Sequence, residues 1–208
     1  MSLSVNPKVV DLSHYDDVQD GFAGAVEMGI RGVINKVTED YSSHDHSFEW
    51  RREPAAKAGL LFGAYHFLRP TRIQQQADWF LQNCGDTTGL LLALDHEDAN
   101  VPLKDAQYWL QAVHDKVGRW PILYSGHLIK EQLMGTGDPF WGQIRLWLAQ
   151  YSSHPVWPAA WAKPWLWQFT GDGHGPPPHN VPGIVIAGGC DINSFDGTDA
   201  ELAEQWVQ

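Results

Sequence analysis

The stretch Gly89-Leu90-Leu91-Leu92-Ala93-Leu94-Asp95-His96-Glu97 decides the fold class. An unbroken apolar run that ends abruptly in acid is typical of a strand buried on both faces. Residues two apart on a strand point the same way, so Asp95 and Glu97 are expected to lie side by side. Parallel α/β folds place reactive groups at this C-terminal end of their strands. Two neighbouring carboxyls raise the pKa of at least one of them, which is what acid-assisted hydrolysis of a sugar linkage needs.

The segments on either side of this stretch alternate between strand and helix patterns. Five predicted strands are each followed by a helical pattern, and three further strands follow without one. The predicted strands cover residues 9–13, 32–37, 60–67, 89–97, 120–125, 144–151, 165–169 and 184–192. Seven prolines between residues 155 and 182 exclude a crossover helix there. The pattern predicts an α/β fold, a closed barrel of eight strands that lacks its last helices.

Length and composition narrow the class of protein further. A chain of 208 residues with 43% hydrophobic residues is expected to form one domain, here residues 5–208. The formal charge of -11 argues against nucleic acid and anionic membrane surfaces as partners. Residues 1–6 show no secretory signal and no segment reaches membrane-spanning length. The expected protein is therefore soluble, made in the cytoplasm, and delivered by another system if it acts outside.

Two further residue types carry expectations about the core. The cysteines, Cys84 and Cys190, lack the spacing of a disulfide framework or a metal site, so both are expected to be free and buried. The eleven tryptophans could stack on sugar rings, although most are expected to fill the core.

The predicted strand ends carry mainly acids and aromatic rings. In order they are Asp11, Glu39, Tyr65, His66, Asp95, Glu97, Tyr124, Trp147, Tyr151, Gln168 and Asp191. Every strand of a parallel barrel opens its C-terminal end on one face, so these side chains are expected to converge. Lysine and arginine are scarce there and no glycine-rich phosphate loop is present, which argues against a phosphate site.

Short motifs along the chain resemble glycoside hydrolase family 25, the lysozymes that cleave the link between muramic acid and glucosamine in peptidoglycan. The matching pieces run in family order, which makes the set specific although each piece alone is weak. They are Val10-Asp-Leu-Ser13, Lys36-Val-Thr-Glu39, Gly63-Ala-Tyr-His-Phe67, Leu94-Asp-His-Glu97, Tyr124-Ser125, Leu146-Trp-Leu-Ala-Gln-Tyr151, Leu166-Trp-Gln-Phe169 and Asp191-Ile-Asn-Ser-Phe195. The resemblance implies a TIM-like barrel of the (β/α)5β3 type, in agreement with the strand count.

The resemblance also implies a role for each acid. Glu97 is implied to be the general acid, and Asp95 to stabilise the oxocarbenium-like state or orient the acetamido group of the substrate. Asp11 and Asp191 are implied to flank this pair. Among four crowded carboxyls, the least solvated one is expected to stay protonated, and Glu97 is assigned that place.

The remaining implied site residues bind substrate. They are Tyr65, Tyr124, Trp147 and Gln168, which are expected to line the sugar subsites, and Glu39 at the end of the second predicted strand. No cofactor and no metal are required. The expected partner is the glycan strand of peptidoglycan. The protein is expected to be a monomer and to serve as a phage endolysin or a bacterial cell-wall lytic enzyme.

Two other functions remain open at this level. A metal-dependent hydrolase on the same barrel could use some of the ten histidines, such as His44 and His46, although these lie in a polar linker. Activity that persists in a chelator would exclude it. A carbohydrate-binding barrel without catalysis could use the same aromatic rings, but binding alone does not need four crowded acids.

Overall fold

A closed barrel of eight strands forms the centre of the structure. The computed structural model describes residues 3–134 and 137–208; Met1 and Ser2, part of the segment in which no secretory signal is predicted, lie outside them. The strands are β1 (Pro7–Leu12), β2 (Asp17–Val18), β3 (Gly32–Glu39), β4 (Ser43–His44), β5 (Leu61–Phe67), β6 (Leu91–Asp95), β7 (Ile122–Ser125), β8 (Leu146–Ala149), β9 (Leu166–Thr170), β10 (Ile184–Val185) and β11 (Asp191–Ser194). The helices are α1 (Ala23–Met28), α2 (Ser47–Lys57), α3 (Ile73–Cys84), α4 (Leu103–Val117), α5 (His127–Gln132) and α6 (Asp199–Gln205), with a 3-10 helix at Pro139–Gln143.

The barrel strands pair in the order β1, β3, β5, β6, β7, β8, β9 and β11, and β11 returns to β1 to close the ring. The pairs from β1 through β9 are parallel, whereas β11 runs antiparallel to both of its neighbours. The helices α1 to α5 follow the first five barrel strands. The predicted (β/α)5β3 barrel is therefore confirmed.

The last barrel strand differs from its prediction in both position and direction. The predicted strand over residues 184–192 breaks at Gly188 and Gly189, whose φ angles of 97° and 114° are left-handed. Residues 184–185 instead form β10, which pairs with β2 in a separate two-stranded sheet. The barrel strand begins only at Asp191. The expectation that all eight C-terminal ends share one face is thus wrong for β11, which presents its N-terminal end there.

Two helices also begin elsewhere than predicted. The helical spacing of Val18, Phe22, Ala25 and Val26 predicts a first helix that includes Val18. Val18 instead belongs to β2, and α1 begins only at Ala23. For the second helix, the sequence pattern predicts residues 54–58, after an irregular segment and before Gly59. This helix begins at Ser47, where the Asp45 side chain accepts a hydrogen bond from the Ser47 backbone N–H at 3.0 Å, and it continues past Pro54.

The barrel interior is apolar at one end. Inward-facing Val9, Ile34, Leu91 and Ile122 form a buried cluster with Leu166, with Leu202 of α6 and with Trp206, which directly follows that helix. The Trp206 indole N–H donates to the backbone carbonyl of Phe62 at 2.8 Å, and a Cβ at Gly32 would lie 2.7 Å from its ring. Because α6 closes this end with hydrocarbon, the polar inward positions of the same strands gather at the opposite mouth.

The expectations about the core are met. Cys84 and Cys190 are free and buried. Six of the eleven tryptophans are buried, and only Trp50 is exposed. Among the described residues, no helix has the length and apolar character needed to cross a membrane.

Candidate active site

Four carboxyls meet at one mouth of the barrel. Asp11 faces inward near the end of β1, Asp95 ends β6, and Glu97 follows two residues later. Asp191 opens β11 and lies directly opposite Asp11 in the antiparallel pair. All four line one cavity of about 230 Å³. The predicted convergence therefore occurs, and Asp191 joins it because its strand runs the other way.

Aromatic rings form much of the rest of this cavity. Of the residues expected to line sugar subsites, Tyr65, Tyr124 and Trp147 are present. The rings of Tyr124 and Trp147 are 4.5 Å apart and those of Tyr65 and Trp147 6.5 Å apart, both in edge-to-face contact. This packing holds the rings in one arrangement. The cavity also includes Ser13, Tyr15, Lys36 and Phe67.

Gln168 lies behind the cavity and does not line it. Its side chain is only 1% exposed, and both of its polar atoms are engaged within the protein. The amide N–H group donates to both carboxyl oxygens of Asp11 at 3.0 Å, and the amide oxygen accepts from the hydroxyls of Tyr124 and Tyr151. The structure thus places Gln168 as a group that orients Asp11, not as a sugar contact.

Glu39 also lies outside the cavity that holds the four carboxyls. It accepts hydrogen bonds from Lys36 at 2.6 Å and from Arg69 at 2.8 Å. Partial burial alone would raise the pKa of Glu39, but these two cations lower it below its usual range. A carboxylate held by two cations is better described as part of an ion-pair network than as a substrate contact.

Burial dominates the electrostatics of the two aspartates that face each other. It raises the pKa of Asp11 to about 7, although hydrogen bonds from Asn193 and Gln168 oppose the shift. It raises the pKa of Asp191 to about 9, with repulsion from Asp11 as the next contribution. At neutral pH this pair therefore retains protons that free aspartates would have lost.

The central pair, Asp95 and Glu97, differs from its prediction in solvation. Glu97 was expected to be the least solvated acid, yet it is exposed at the lip, whereas Asp95 is only 6% exposed. Burial, followed by repulsion from Glu97, raises the pKa of Asp95 well above its usual value. Partial burial of its carboxyl also raises the pKa of Glu97. The two carboxyls therefore share a proton to higher pH than free carboxyls would, and the outer one, Glu97, can reach a bound ligand.

The histidines near the strand ends turn away from the cavity. The ring of His66 is buried and hydrogen-bonded with Thr38 and Gln76. Strand alternation predicts that His96, between the two acids, points away from the cavity and packs against a helix. It is buried and hydrogen-bonded with Gln132 of α5 at 2.7 Å. Burial lowers the pKa of His66 to about 4, so this ring is neutral near pH 7.

Another histidine cluster lies outside the carboxyl cavity. His44, His46 and Glu49 each offer a ligand atom within 4.8 Å of the others. His44 already pairs with Glu49 at 3.1 Å, and both His46 and Glu49 are exposed. None of these three residues lines the carboxyl cavity, so the cluster gives no support to a metal-dependent hydrolase that uses the four carboxyls.

Besides Ser13, Tyr15 and Phe67 of the cavity wall, two residues that act on the carboxyls, Asn193 and Lys36, were missing from the sequence-based set. Asn193 donates a hydrogen bond to Asp11 at 2.7 Å and accepts one from the Trp147 indole N–H at 2.5 Å. It lies two positions after Asp191, so strand alternation could have placed it on the inward face. Lys36 lines the cavity as its only cation among the described residues. Its inward position follows from the same alternation along β3.

The raised pKa values predict how stability depends on pH. A carboxyl whose pKa is raised on folding contributes its full stabilisation below the pKa of the unfolded state, 3.8 for Asp191. This stabilisation is lost as the pH rises through the pKa of the folded state, about 9. We expect the melting temperature to fall between pH 7 and pH 9.5, a window in which the buried histidines are already neutral.

Calorimetry of Asp191→Asn tests this dependence. The decline in melting temperature should be shallower in this variant than in the wild type. Asp196→Asn is the matched control, since Asp196 is exposed and paired with Lys163 at 2.9 Å on the same part of the chain. Equal slopes for all three proteins would contradict the assignment.

A closed α/β barrel with carboxyls and aromatic rings at its mouth defines a hydrolase of the glycosidase class. Residues 10–176 match the family model described as glycosyl hydrolases family 25. An N,O-diacetylmuramidase from Chalaropsis sp is 32% identical over 180 residues, covering 76% of this chain and 85% of that protein. The chain therefore belongs to glycosyl hydrolases family 25.

Solved structures agree with this assignment. A muramidase from Trichobolus zukalii has a TM-score of 0.78 at 30% identity and covers 98% of this chain and 99% of its own. A family 25 lysozyme from Aspergillus fumigatus has a TM-score of 0.75 at 25% identity, with coverages of 99% and 100%. The predicted family, the glycosidase class and the lysozyme-type function at family level are confirmed.

Proposed function

We propose that this chain hydrolyses the β-1,4 bond between N-acetylmuramic acid and N-acetylglucosamine in bacterial peptidoglycan. The observation that carries the proposal is the set of four carboxyls with raised pKa around one small cavity walled by aromatic rings. The muramidases among the relatives support the choice of substrate. Residues 5–208 are proposed to form the catalytic domain, which acts as a monomer.

Glu97 is the proposed general acid. Its carboxyl is at the lip of the cavity, where a glycosidic oxygen can approach, and its raised pKa keeps a proton available. The proton passes to the leaving oxygen as the bond from that oxygen to the anomeric carbon breaks. The sugar ring then carries positive charge until water supplies the new hydroxyl group.

Asp95 is the proposed partner for that positive charge. It is buried beneath the lip, and its Oδ1 atom has no hydrogen-bond partner. An ionised Asp95 would stabilise the oxocarbenium-like state, or orient the substrate's acetamido group for internal attack. Asp11, held by Gln168 and Asn193, and Asp191 set the charge around this pair.

The protein's role is proposed to be the breakdown of cell walls, as a phage endolysin or a bacterial lytic enzyme. Glycan strands of peptidoglycan are the proposed partner, and Tyr65, Tyr124 and Trp147 the proposed sugar contacts. No cofactor is assigned. These side chains bind and protonate the substrate without a metal-dependent step.

Activity should be greatest from acidic to near-neutral pH. The general acid must hold its proton, so the rate should fall as pH rises past the raised pKa of Glu97. It should also fall at low pH, where the Asp95–Glu97 pair holds two protons instead of the one that the reaction uses. A pH–rate profile on purified peptidoglycan measures both limbs, and a flat profile from pH 4 to pH 9 would contradict the mechanism.

Mass spectrometry of digested peptidoglycan tests the proposed bond. The new reducing ends should be on muramic acid, which borohydride reduction converts to muramitol, whereas glucosamine ends would give glucosaminitol. Reducing ends on glucosamine would show a glucosaminidase instead. Release of peptides without new reducing ends would show that the chain does not cleave glycan.

A further inference from the structure

The carboxyl cavity is too small to hold a polymer. Its volume of about 230 Å³ lies below the roughly 300–1,000 Å³ typical of pockets that enclose a drug-sized ligand. A glycan strand bound across it must therefore lie partly on the surface around the mouth. This conclusion rests on the proposed function, because only a polymeric substrate needs a binding surface beyond the cavity.

A second cavity adjoins the first at Tyr15, which lines both. It measures about 430 Å³ and lies between the loop that follows β1 and the first half of α2. Its other walls include Asp17, Trp50 and the buried Arg51. We call it the Tyr15–Trp50 cleft. It shares the aromatic wall formed by Tyr15 with the carboxyl site.

Two large rings of this cleft face solvent. Tyr15 is 76% exposed and Trp50 73% exposed, which makes them the most exposed aromatic side chains of the described residues. Exposed apolar surface that flanks a cleft indicates a binding site more often than isolated surface rings do. Flat aromatic faces suit the apolar faces of sugar rings, while their polar edges stay in water.

The cleft is held in place before any ligand binds. His14 packs on Tyr15 with ring centroids 4.0 Å apart, and Asp45 fixes His14 through its backbone N–H and its ring at 2.9 Å each. Arg51 donates to the carbonyl of Ser13 at 2.8 Å. A wall that is already ordered loses little conformational freedom on binding, which favours affinity.

The charges of the cleft indicate an uncharged ligand. The Arg51 guanidinium donates hydrogen bonds within the protein to Ser13, Asn35 and Asp16, so it is not free to bind an anion. The exposed carboxylate of Asp17 accepts from Gln19 and can accept further hydrogen bonds from hydroxyl or amide groups. An N-acetylated sugar ring provides such donors, whereas the carboxylates of a peptide stem would be repelled.

We propose that the Tyr15–Trp50 cleft is a saccharide subsite, which binds a ring of the glycan strand away from the bond that is cleaved. Trp50 is the residue through which to test it, because Tyr15 also lines the carboxyl cavity. The stacking of one ring is expected to change affinity about 3–10-fold.

The experiment measures binding of β-1,4-linked N-acetylglucosamine oligomers by calorimetry in the Glu97→Gln background, which prevents turnover. Trp50→Ala should weaken binding of the hexamer about 3–10-fold and of the dimer less than about 2-fold. Trp50→Phe should restore most of the loss. Tyr108→Ala is the control, since Tyr108 is a 53% exposed ring on α4 that does not line either cavity.

Each other outcome overturns the subsite. The subsite is contradicted if Trp50→Ala leaves hexamer binding unchanged, or if the Glu97→Gln protein does not bind the hexamer. A loss seen only with peptide-bearing strands, and not with glycan stripped of peptides, would assign the cleft to the stem. If peptidoglycan turnover depends on Glu97 but Trp50→Ala leaves hexamer binding unchanged, the subsite is wrong and the proposed function is retained. If oligomer binding depends on Trp50 but the wild type shows no turnover, the subsite is retained and the proposed function is wrong.

Discussion

Replacing Glu97 with Gln should lower kcat on peptidoglycan by about 10²–10⁴-fold, the usual contribution of general acid catalysis. Glutamine keeps the size of the side chain but has no proton of suitable acidity for the glycosidic oxygen. Because Glu97 is exposed and lies beyond the end of β6, the fold should be unaffected. KM should change little, since the lost interaction belongs to the transition state.

Release of soluble reducing sugars from purified cell walls measures this effect. Glu204→Gln is the matched control, because Glu204 is an exposed residue of α6 at the closed end of the barrel. It should retain the wild-type rate and melting temperature. Equal rates above background would contradict the role of Glu97 as general acid, and background rates for both proteins would favour the carbohydrate-binding alternative.

Strand alternation explains why so much of the site could be predicted. An apolar run that ends at Asp95 identifies a buried strand, and a period of two assigns Asp95 to the inside and His96 to the outside. The same rule places Asp11 and Tyr124 inside β1 and β7. These positions depend only on local sequence, so one chain without relatives is sufficient to infer them.

The direction of the last strand could not be inferred in this way. Both a parallel and an antiparallel β11 satisfy the apolar pattern, and the pairing is decided by contacts with β9 and β1 far away in sequence. The glycines at 188 and 189 end the apparent strand early. Asp191 was nevertheless placed at the correct mouth. The prediction put it at the C-terminal end of a parallel strand, and the structure puts it at the N-terminal end of an antiparallel one, which faces the same mouth.

The roles of Gln168 and Glu39 depend on partners that sequence patterns do not reveal. Gln168 meets Asp11 across 157 positions, and Glu39 meets Arg69 across 30. An inward residue near a strand end can contact ligand or support a neighbour, and only the packing around it decides which. Solvation of Glu97 was misjudged for the same reason, since it lies beyond the end of β6 and not within it.

Replacing Asp95 with Asn should lower activity and raise stability together. The amide keeps the shape of the carboxyl but cannot balance the positive charge that develops on the sugar, so kcat should fall about 10²–10³-fold. Burial and repulsion from Glu97 raise the pKa of Asp95, which means that folding opposes its ionisation. Each pKa unit relieved is worth about 1.4 kcal/mol, or about 3–6 °C in melting temperature for a chain of this size.

Calorimetry at pH 7 to pH 8 and kinetics on the same preparations measure the two effects. Asp98→Asn is a control of opposite sign, because Asp98 is ion-paired with Arg69 at 3.0 Å and its pKa is lowered by the Asn100 backbone N–H and by Arg69. That variant should not gain stability. A melting temperature that falls in Asp95→Asn, or a kcat within 2-fold of the wild type, would contradict the proposed role. Joint loss of activity and gain of stability is expected only where a carboxyl is kept in an unfavourable place for its chemistry.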